Sequence, residues 1–243
     1  MSASNENEIF KFPRTSHLIN LGGASDDDLV FEEHELVYFL TPSATKVITI
    51  EEKIDGGNMG FRLSSNGKIL AQNRSKIVTK NLHPQYAALE KFIYSHQQEI
   101  EDVLENGRRC LFGEWLAAKH SIHYNNLPDY FIAYDIFDKK EEKFLDRTTF
   151  YEIMSSTNIP YLKPIVNNFE ECSSREKIIS FLNSKKSEFS TDSLIEGIYI
   201  RVDGVDGFLK ERAKIVRGDF VCGNEEWSKH RITPNIIKKK NQN

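Results

Sequence analysis

Cysteine is scarce in this 243-residue chain. Cys110, Cys172 and Cys222 are odd in number and far apart, which fits an intracellular reducing compartment, cytoplasmic or nuclear, better than a disulfide framework. No run of 18 apolar residues occurs, so no membrane span is expected. The amino terminus, Met1 to Glu8, lacks the basic and apolar regions of a signal peptide. No Gly-x-x-x-x-Gly-Lys-Ser/Thr string is present, and that excludes a P-loop as a nucleotide cradle. An excess of basic charge is also missing. A net charge of −4 argues against coating nucleic acid by bulk electrostatics, so any such contact must be local.

What is present suits a substantial core, with 39% apolar and 11% aromatic residues. Residues 1–12 read as disordered, and 13–243 as a single α+β domain, since there is no repeat, low-complexity tract or clear linker. Strands are expected near 35–40, 46–54, 59–64, 68–72, 109–116, 130–137, 196–202 and 208–216, with Asn66-Gly67 as a hairpin tip. Helical spacing of Leu89, Phe92, Ile93, Ile100, Val103 and Leu104 predicts a helix over 85–105, stopped by Asn106-Gly107. Two more helices are expected over 147–155 and 174–183. The basic tail at Ile237-Lys238-Lys239-Lys240 reads as solvated, and Asn73-Arg74-Ser75 as a chance glycosylation sequon.

The most informative stretch is Glu52-Lys53-Ile54-Asp55-Gly56-Gly57-Asn58, at the end of the apolar run 46–50. A strand that delivers a lysine into a glycine-rich turn, with a carboxylate two residues on, suits an amine that attacks phosphorus and keeps the product attached. In water only roughly one such lysine in a few thousand is a free amine at neutral pH, so burial or nearby positive charge must depress its pKa. Residues i and i+2 of a strand share a face, so Lys53 and Asp55 are expected to point into one pocket, while Gly56 and Gly57 admit a nucleotide close to the backbone. Alone the string also suits an Asp-Gly hairpin turn.

Its order with five later segments adds specificity. These are Gln72-Asn73-Arg74-Ser75, the Glu114 segment 111–116, the Tyr134 segment 130–138, and the pair Glu196-Gly197-Ile198-Tyr199-Ile200-Arg201 and Ala213-Lys214-Ile215-Val216-Arg217. The series resembles the covalent nucleotidyltransferase superfamily of polynucleotide ligases and capping enzymes. Within it the chain is most similar to the ATP-dependent RNA ligases, because Asn58 stands where DNA ligases usually carry arginine.

The resemblance implies a nucleotidyltransferase domain of antiparallel sheets with flanking helices. It implies ATP and Mg2+, with Mn2+ as a substitute, and RNA ends, nicked or single-stranded, as partners; it says nothing of oligomeric state. Lys53 and Lys214 are the implied catalytic residues. Glu52, Asp55, Gly56, Asn58, Arg74, Glu114, Tyr134, Glu196, Lys214 and Arg217 are the implied nucleotide-binding set, with Glu196 the metal ligand. By the resemblance Arg74 binds a phosphate, Glu114 the ribose hydroxyls, Tyr134 stacks on adenine and Lys214 neutralises the α-phosphate. Relatives often carry a second basic residue two positions after this lysine, where the chain has Val216. Arg217, Lys210 and Arg212 are the substitutes to weigh. Few residues follow Lys214, so no appended oligonucleotide-binding domain is expected, which disfavours a DNA ligase and a GTP-dependent capping enzyme. A nucleotide- or RNA-binding module without chemistry is the alternative from another class. His17 reads as structural, and His120 and His123 as structural or as RNA contacts, since no Cys or second His pair accompanies their metal-like spacing.

Overall fold

Alternating apolar residues make the strands, and the way they pair makes two sheets. The computed structural model describes residues 9–22, 24, 28–32, 34–41, 43–166, 169–220 and 232–239. In it β1 (Val47–Lys53), β8 (Gly197–Asp203) and β9 (Leu209–Val216) form a three-stranded sheet in the order β1-β8-β9. A six-stranded sheet contains β2 (Gly57–Leu63), β3 (Ile69–Gln72), β4 (Ile77–Val78), β5 (Arg109–Trp115), β6 (Phe131–Asp138) and β7 (Lys143–Phe144), in the order β4-β3-β2-β5-β6-β7. All these pairings are antiparallel. The chain changes sheet between β1 and β2, at Ile54-Asp55-Gly56, so the sequence segment with the strongest chemical signal is the crossing point between sheets.

Three apolar clusters hold the layers. Met59, Phe61, Leu111, Trp115 and Phe131 pack against Leu89 and Phe92 of α2 (Leu89–Ser95), Ile100 and Leu104 of α3 (Gln97–Leu104) and Phe150 of α4 (Arg147–Ser155). The opposite face of the six-stranded sheet gathers Phe112, Ile132, Tyr134 and Phe137 with Phe12 and Tyr124. The three-stranded sheet lays Ile50, Ile198, Ile200 and Ile215 on Ile178 and Leu182 of α5 (Arg175–Leu182) and on Phe39 of α1 (Glu35–Leu40). Every residue of β6 is buried, as expected of a strand covered on both faces.

Several expectations need correction. Residues 35–40 form a helix, not a strand: Phe39 and Leu40 are buried while Val37 and Tyr38 are exposed, a helical burial pattern that a short continuous apolar run does not reveal. The long helix breaks at His96 (φ −119°, ψ 19°) into α2 and α3, where the imidazole Nδ1 lies 2.6 Å from Glu99 and Nε2 3.4 Å from Asp129. Disorder does not extend to residue 12, because Phe12 is buried and Phe10 packs on Phe137 at 4.0 Å between ring centroids; residues 1–8 lie outside the described residues. Nor is the carboxyl-terminal stretch a free tail. Ile237 bridges to Leu127 and the Lys238 amide donates to the Leu127 carbonyl, although the Lys238 and Lys239 side chains are exposed; Lys240 and Cys222 lie outside the described residues. Among the described residues no helix is long and apolar enough to cross a membrane.

Candidate active site

The register of β1 against β8 brings the site together. Lys53 lies opposite Gly197, so the preceding residue, Glu196, meets the amine: Lys53 Nζ is 2.5 Å from Glu196 Oε1. Gly197 is a requirement of this approach, since a Cβ there would stand 2.2 Å from the Ile215 carbonyl oxygen. On the same sheet Tyr199 lies opposite Lys214, and opposed residues of an antiparallel pair share a face. Across the crossing turn, Asn58 lies opposite Glu114 on β2 and β5. Gly56 is compressed against this edge, where a Cβ would come within 2.7 Å of the Trp115 carbonyl and the Leu116 side chain.

A bulge supplies the aromatic wall. Phe112 pairs with Asp135 and Gly113 with Ala133, so Tyr134 is the extra residue. One inserted residue reverses the parity of a strand; Ala133 and Ile136 thus both face the helices, while Tyr134 and Asp135 both face the second sheet. Tyr134 lines the cleft and Asn58 Nδ2 donates to its hydroxyl at 2.5 Å.

Together these residues bound a cleft of about 700 Å³. Its charges are poorly compensated. Burial pushes the Glu114 carboxyl up to about 8, further than Lys53 and Arg74 pull it down. Burial likewise pushes Glu52 to about 7 and raises Glu196 in spite of Lys53. For Lys53 itself burial favours the neutral amine, but the Glu196 carboxylate, with Tyr199 and Glu114, outweighs it and holds the group protonated. Glu196 Oε2 and Glu52 Oε1 are buried without a hydrogen-bond partner among the described residues.

Of the expected site residues, Glu52, Lys53, Gly56, Asn58, Arg74, Glu114, Tyr134 and Lys214 line the cleft, and Glu196 joins them through Lys53. Arg74 is exposed at the rim, in a turn fixed by Asn73 Oδ1 accepting from the Ser75 and Lys76 amides. Asp55 does not share the pocket with Lys53. It is not among the lining residues, and its carboxylate is taken up by the Ser121 and Ile122 amides at 2.6 and 3.0 Å, because β1 has ended and alternation no longer applies. Arg217 is not among the lining residues either; its guanidinium lies 3.4 Å from Asp219. Of the other two basic candidates, Lys210 pairs with Asp206 at 2.7 Å and Arg212 with Asp135 at 2.7 Å.

The structure adds residues that the motifs did not mark. Arg14, Thr15 and Asp28 line the cleft from the amino-terminal segment, which is held by backbone hydrogen bonds from the Lys214 amide to Ser16 and from the Leu18 amide to Lys214. Asp28 lies 3.0 Å from Lys214 Nζ. His17 is buried, its Nε2 without a hydrogen-bond partner among the described residues, and burial with the neighbouring Lys214 lowers its pKa to about 4. Tyr199 was detectable: it alternates with the core residues Ile198 and Ile200. His120 also lines the cleft, whereas His123 is engaged with the Pro234 carbonyl at 3.2 Å.

Behind Tyr134 lies a second group of buried charges. Arg201 Nε donates to Glu51 at 2.5 Å and Arg147 NH1 to Glu51 at 3.2 Å, while Asp135 accepts from Arg147, Arg201 and Arg212. Arg147 and Arg201 also donate to the Tyr134 carbonyl at 2.7 and 3.2 Å, which pins the bulge. Burial would raise the Asp135 pKa, but the three guanidinium groups outweigh it and hold the carboxyl below its ordinary range.

Comparison with known proteins agrees with this geometry. The fold is similar to an archaeal ATP-dependent RNA ligase (TM-score 0.53, 15% identity, 87% of this chain and 49% of that one). It is similar also to a Naegleria gruberi RNA ligase, a variant of which was solved with ATP and Mn (TM-score 0.57, 17% identity, 91% and 58%), and to a protein described as an ATP-dependent DNA ligase from Aquifex aeolicus (0.52, 17%, 86% and 50%). The chain thus spans about half the length of the solved relatives it matches. No curated protein matches by sequence. Residues 46–216, most of the chain, match the RNA ligase family model, and the protein belongs to the RNA ligase family.

Proposed function

We propose that the protein is an ATP-dependent RNA ligase that works through a lysyl-AMP intermediate on Lys53. The observation that carries this reading is the pair of half-buried Lys53 and buried Glu196 at 2.5 Å, with Lys53 lining the same cleft as Tyr134, Glu114 and Lys214. As a neutral amine, Lys53 Nζ attacks the α-phosphorus of ATP. The N–P bond forms as the bond to the bridging oxygen breaks, pyrophosphate leaves with the electron pair, and the amine gives up its proton. A 5′-phosphate oxygen of RNA then displaces the lysine nitrogen, which regains a proton. Finally a 3′-hydroxyl attacks the 5′-phosphorus, loses its proton and releases AMP as the strand is sealed.

Roles follow from position. Tyr134 stacks on the base, its hydroxyl held by Asn58, and Glu114 receives the ribose hydroxyls; Glu52, whose Oε2 accepts the Glu188 amide, belongs to the nucleotide-binding set with no separate role assigned. Lys214 neutralises charge growing on the phosphoryl oxygens, and Arg74 at the rim takes a phosphate bidentately. Asp55 acts on the turn and not on the nucleotide.

The residues fit a divalent cation. Among the described residues the buried Glu196 Oε2 has no hydrogen-bond partner, and no group of three or more His, Cys, Asp or Glu is gathered that could hold a metal ion by itself. That is the donor set of Mg2+ or Mn2+ held by one carboxylate with substrate phosphates. Engaged with a cation, Glu196 would no longer hold the proton on Lys53, and the charge supplied would favour the neutral nucleophile.

Incubation with α-labelled ATP or GTP tests the reading. A labelled covalent adduct from ATP, absent in Lys53→Ala, is expected. Adduct from GTP alone would indicate a guanylyltransferase, and no adduct a binding module. Sealing of matched RNA and DNA ends, nicked and single-stranded, then separates RNA from DNA joining.

A further inference from the structure

The turn that carries Lys53 is held from behind by a loop with no helix or strand of its own. Residues 116–127 supply three anchors to Asp55: the Ser121 and Ile122 amides donate to its Oδ2 at 2.6 and 3.0 Å, and its amide donates to the Tyr124 hydroxyl at 2.7 Å. The loop is in turn held by one side chain from the end of the described chain. Asn235 is 2% exposed. Its Nδ2 donates to the Leu116 and Ala118 carbonyls at 2.9 and 3.1 Å, and its Oδ1 accepts the Tyr124 amide at 2.9 Å. A carboxamide has two donors and an acceptor on one planar group, which matches this set; an aspartate could not donate to the two carbonyls. Backbone bonds extend the strap: Lys119 N to Thr233 O, Ile236 N to Tyr124 O and Leu127 N to Ile236 O, at 2.8, 2.8 and 3.0 Å.

We propose that Asn235 is a positioning residue for Lys53, acting through the 116–127 loop and Asp55. The segment 233–238 is then part of the catalytic apparatus although none of it touches the cleft. In-line attack depends on placing the amine to within a fraction of an ångström, and a displacement of about 1 Å can cost on the order of a hundredfold in rate. The proposal rests on Lys53 being the nucleophile.

The test is the rate of enzyme–AMP formation by the full chain, with ATP varied to saturation. Asn235→Ala is expected to slow adduct formation about tenfold at saturating ATP, with the half-saturating ATP concentration within about twofold of wild type and unfolding still cooperative. A folded Asn235→Ala that reacts at the wild-type rate, or whose defect vanishes at saturating ATP, overturns the proposal. Should that variant fail to fold, Ile236→Pro removes the amide donor to Tyr124 at a half-exposed position and is expected to slow the same step severalfold; a wild-type rate would overturn the proposal. Tyr124→Phe removes the hydroxyl that accepts from Asp55, and combined with Asn235→Ala should show a non-additive loss; full additivity contradicts the relay. Failure of the ligase reading looks different: wild type itself then forms no adduct. Hydrogen exchange still decides the strap's role in that case, because loss of protection at the Ser121 and Ile122 amides in Asn235→Ala, with β5 unchanged, is required.

Discussion

Two groups of buried charge lie back to back on either side of Tyr134, and they are built on opposite terms. In the group around Asp135, three arginines, two carboxylates and the Tyr151 hydroxyl pair with one another, every carboxylate oxygen is engaged and Arg147 Nε alone of the group lacks a partner among the described residues, and the cluster ties β1, β6, β8, β9 and α4 together. In the cleft, Glu196 Oε2 and Glu52 Oε1 lack partners among the described residues, and burial pushes Glu114 to about 8 and Glu52 to about 7. A satisfied polar network specifies structure, whereas unsatisfied polar groups in a cleft are costs retained for a ligand. Burial and charge alone do not mark a site in this fold, and neither does a single orphaned atom such as Arg147 Nε or Asp203 Oδ1; what sets the cleft apart is that several carboxyls pushed up by burial gather around one lysine.

The comparison can be broken first at the structural cluster. Asp135→Ala strands three buried guanidinium groups and is expected to cost about 3–5 kcal/mol of unfolding free energy, read by denaturant titration. A loss below about 1 kcal/mol would mean that the cluster is not the clamp described. The cleft should behave in the reverse way. Glu196→Gln is expected to reduce adduct formation on the order of a hundredfold while the melting temperature stays level or rises; a large fall in stability with activity preserved would exchange the roles of the two groups.

A pH series sharpens the same contrast. The Glu114 carboxyl is held at about 8 against an unfolded value of 4.5, so between those limits the folded state holds a proton that the unfolded state has lost. Stability from this group therefore falls as pH rises from about 4.5 to about 8. Glu114→Gln should flatten that part of the melting-temperature profile, and identical wild-type and variant slopes would remove the assignment. The smallest effect is expected at Tyr134→Phe, which keeps the ring and loses the bond from Asn58. About 1 kcal/mol, a few-fold rise in the ATP concentration for half-maximal adduct, is expected; no change would show that this hydroxyl does not fix the ring.

Much of this was legible in the sequence where chemistry and secondary structure coincide locally. The helix over 147–155 has the boundaries of α4, capped by Asp146 accepting the Thr149 amide, and the strands around Lys53, Glu114, Tyr134, Glu196 and Lys214 stand within a residue or two of expectation. What depends on distant partners was not legible. Glu51, Asp135, Arg147, Arg201 and Arg212 come from five elements, and nothing in their spacing predicts that they meet. The bulge at Tyr134 follows from its pairing with β5, which no reading of β6 alone reveals. Asp55 was misplaced because strand alternation was carried one turn too far, and the strap at Asn235 was missed because three lysines nearby made the segment look like solvated tail.

The central claim is that the Lys53 amine becomes the tether of an adenylate. Intact-protein mass spectrometry after exposure to ATP and Mg2+ or Mn2+, followed by peptide mapping, tests it most directly. The account predicts one added AMP, located on Lys53. A folded protein that gains no mass, or gains it on another residue, would contradict it.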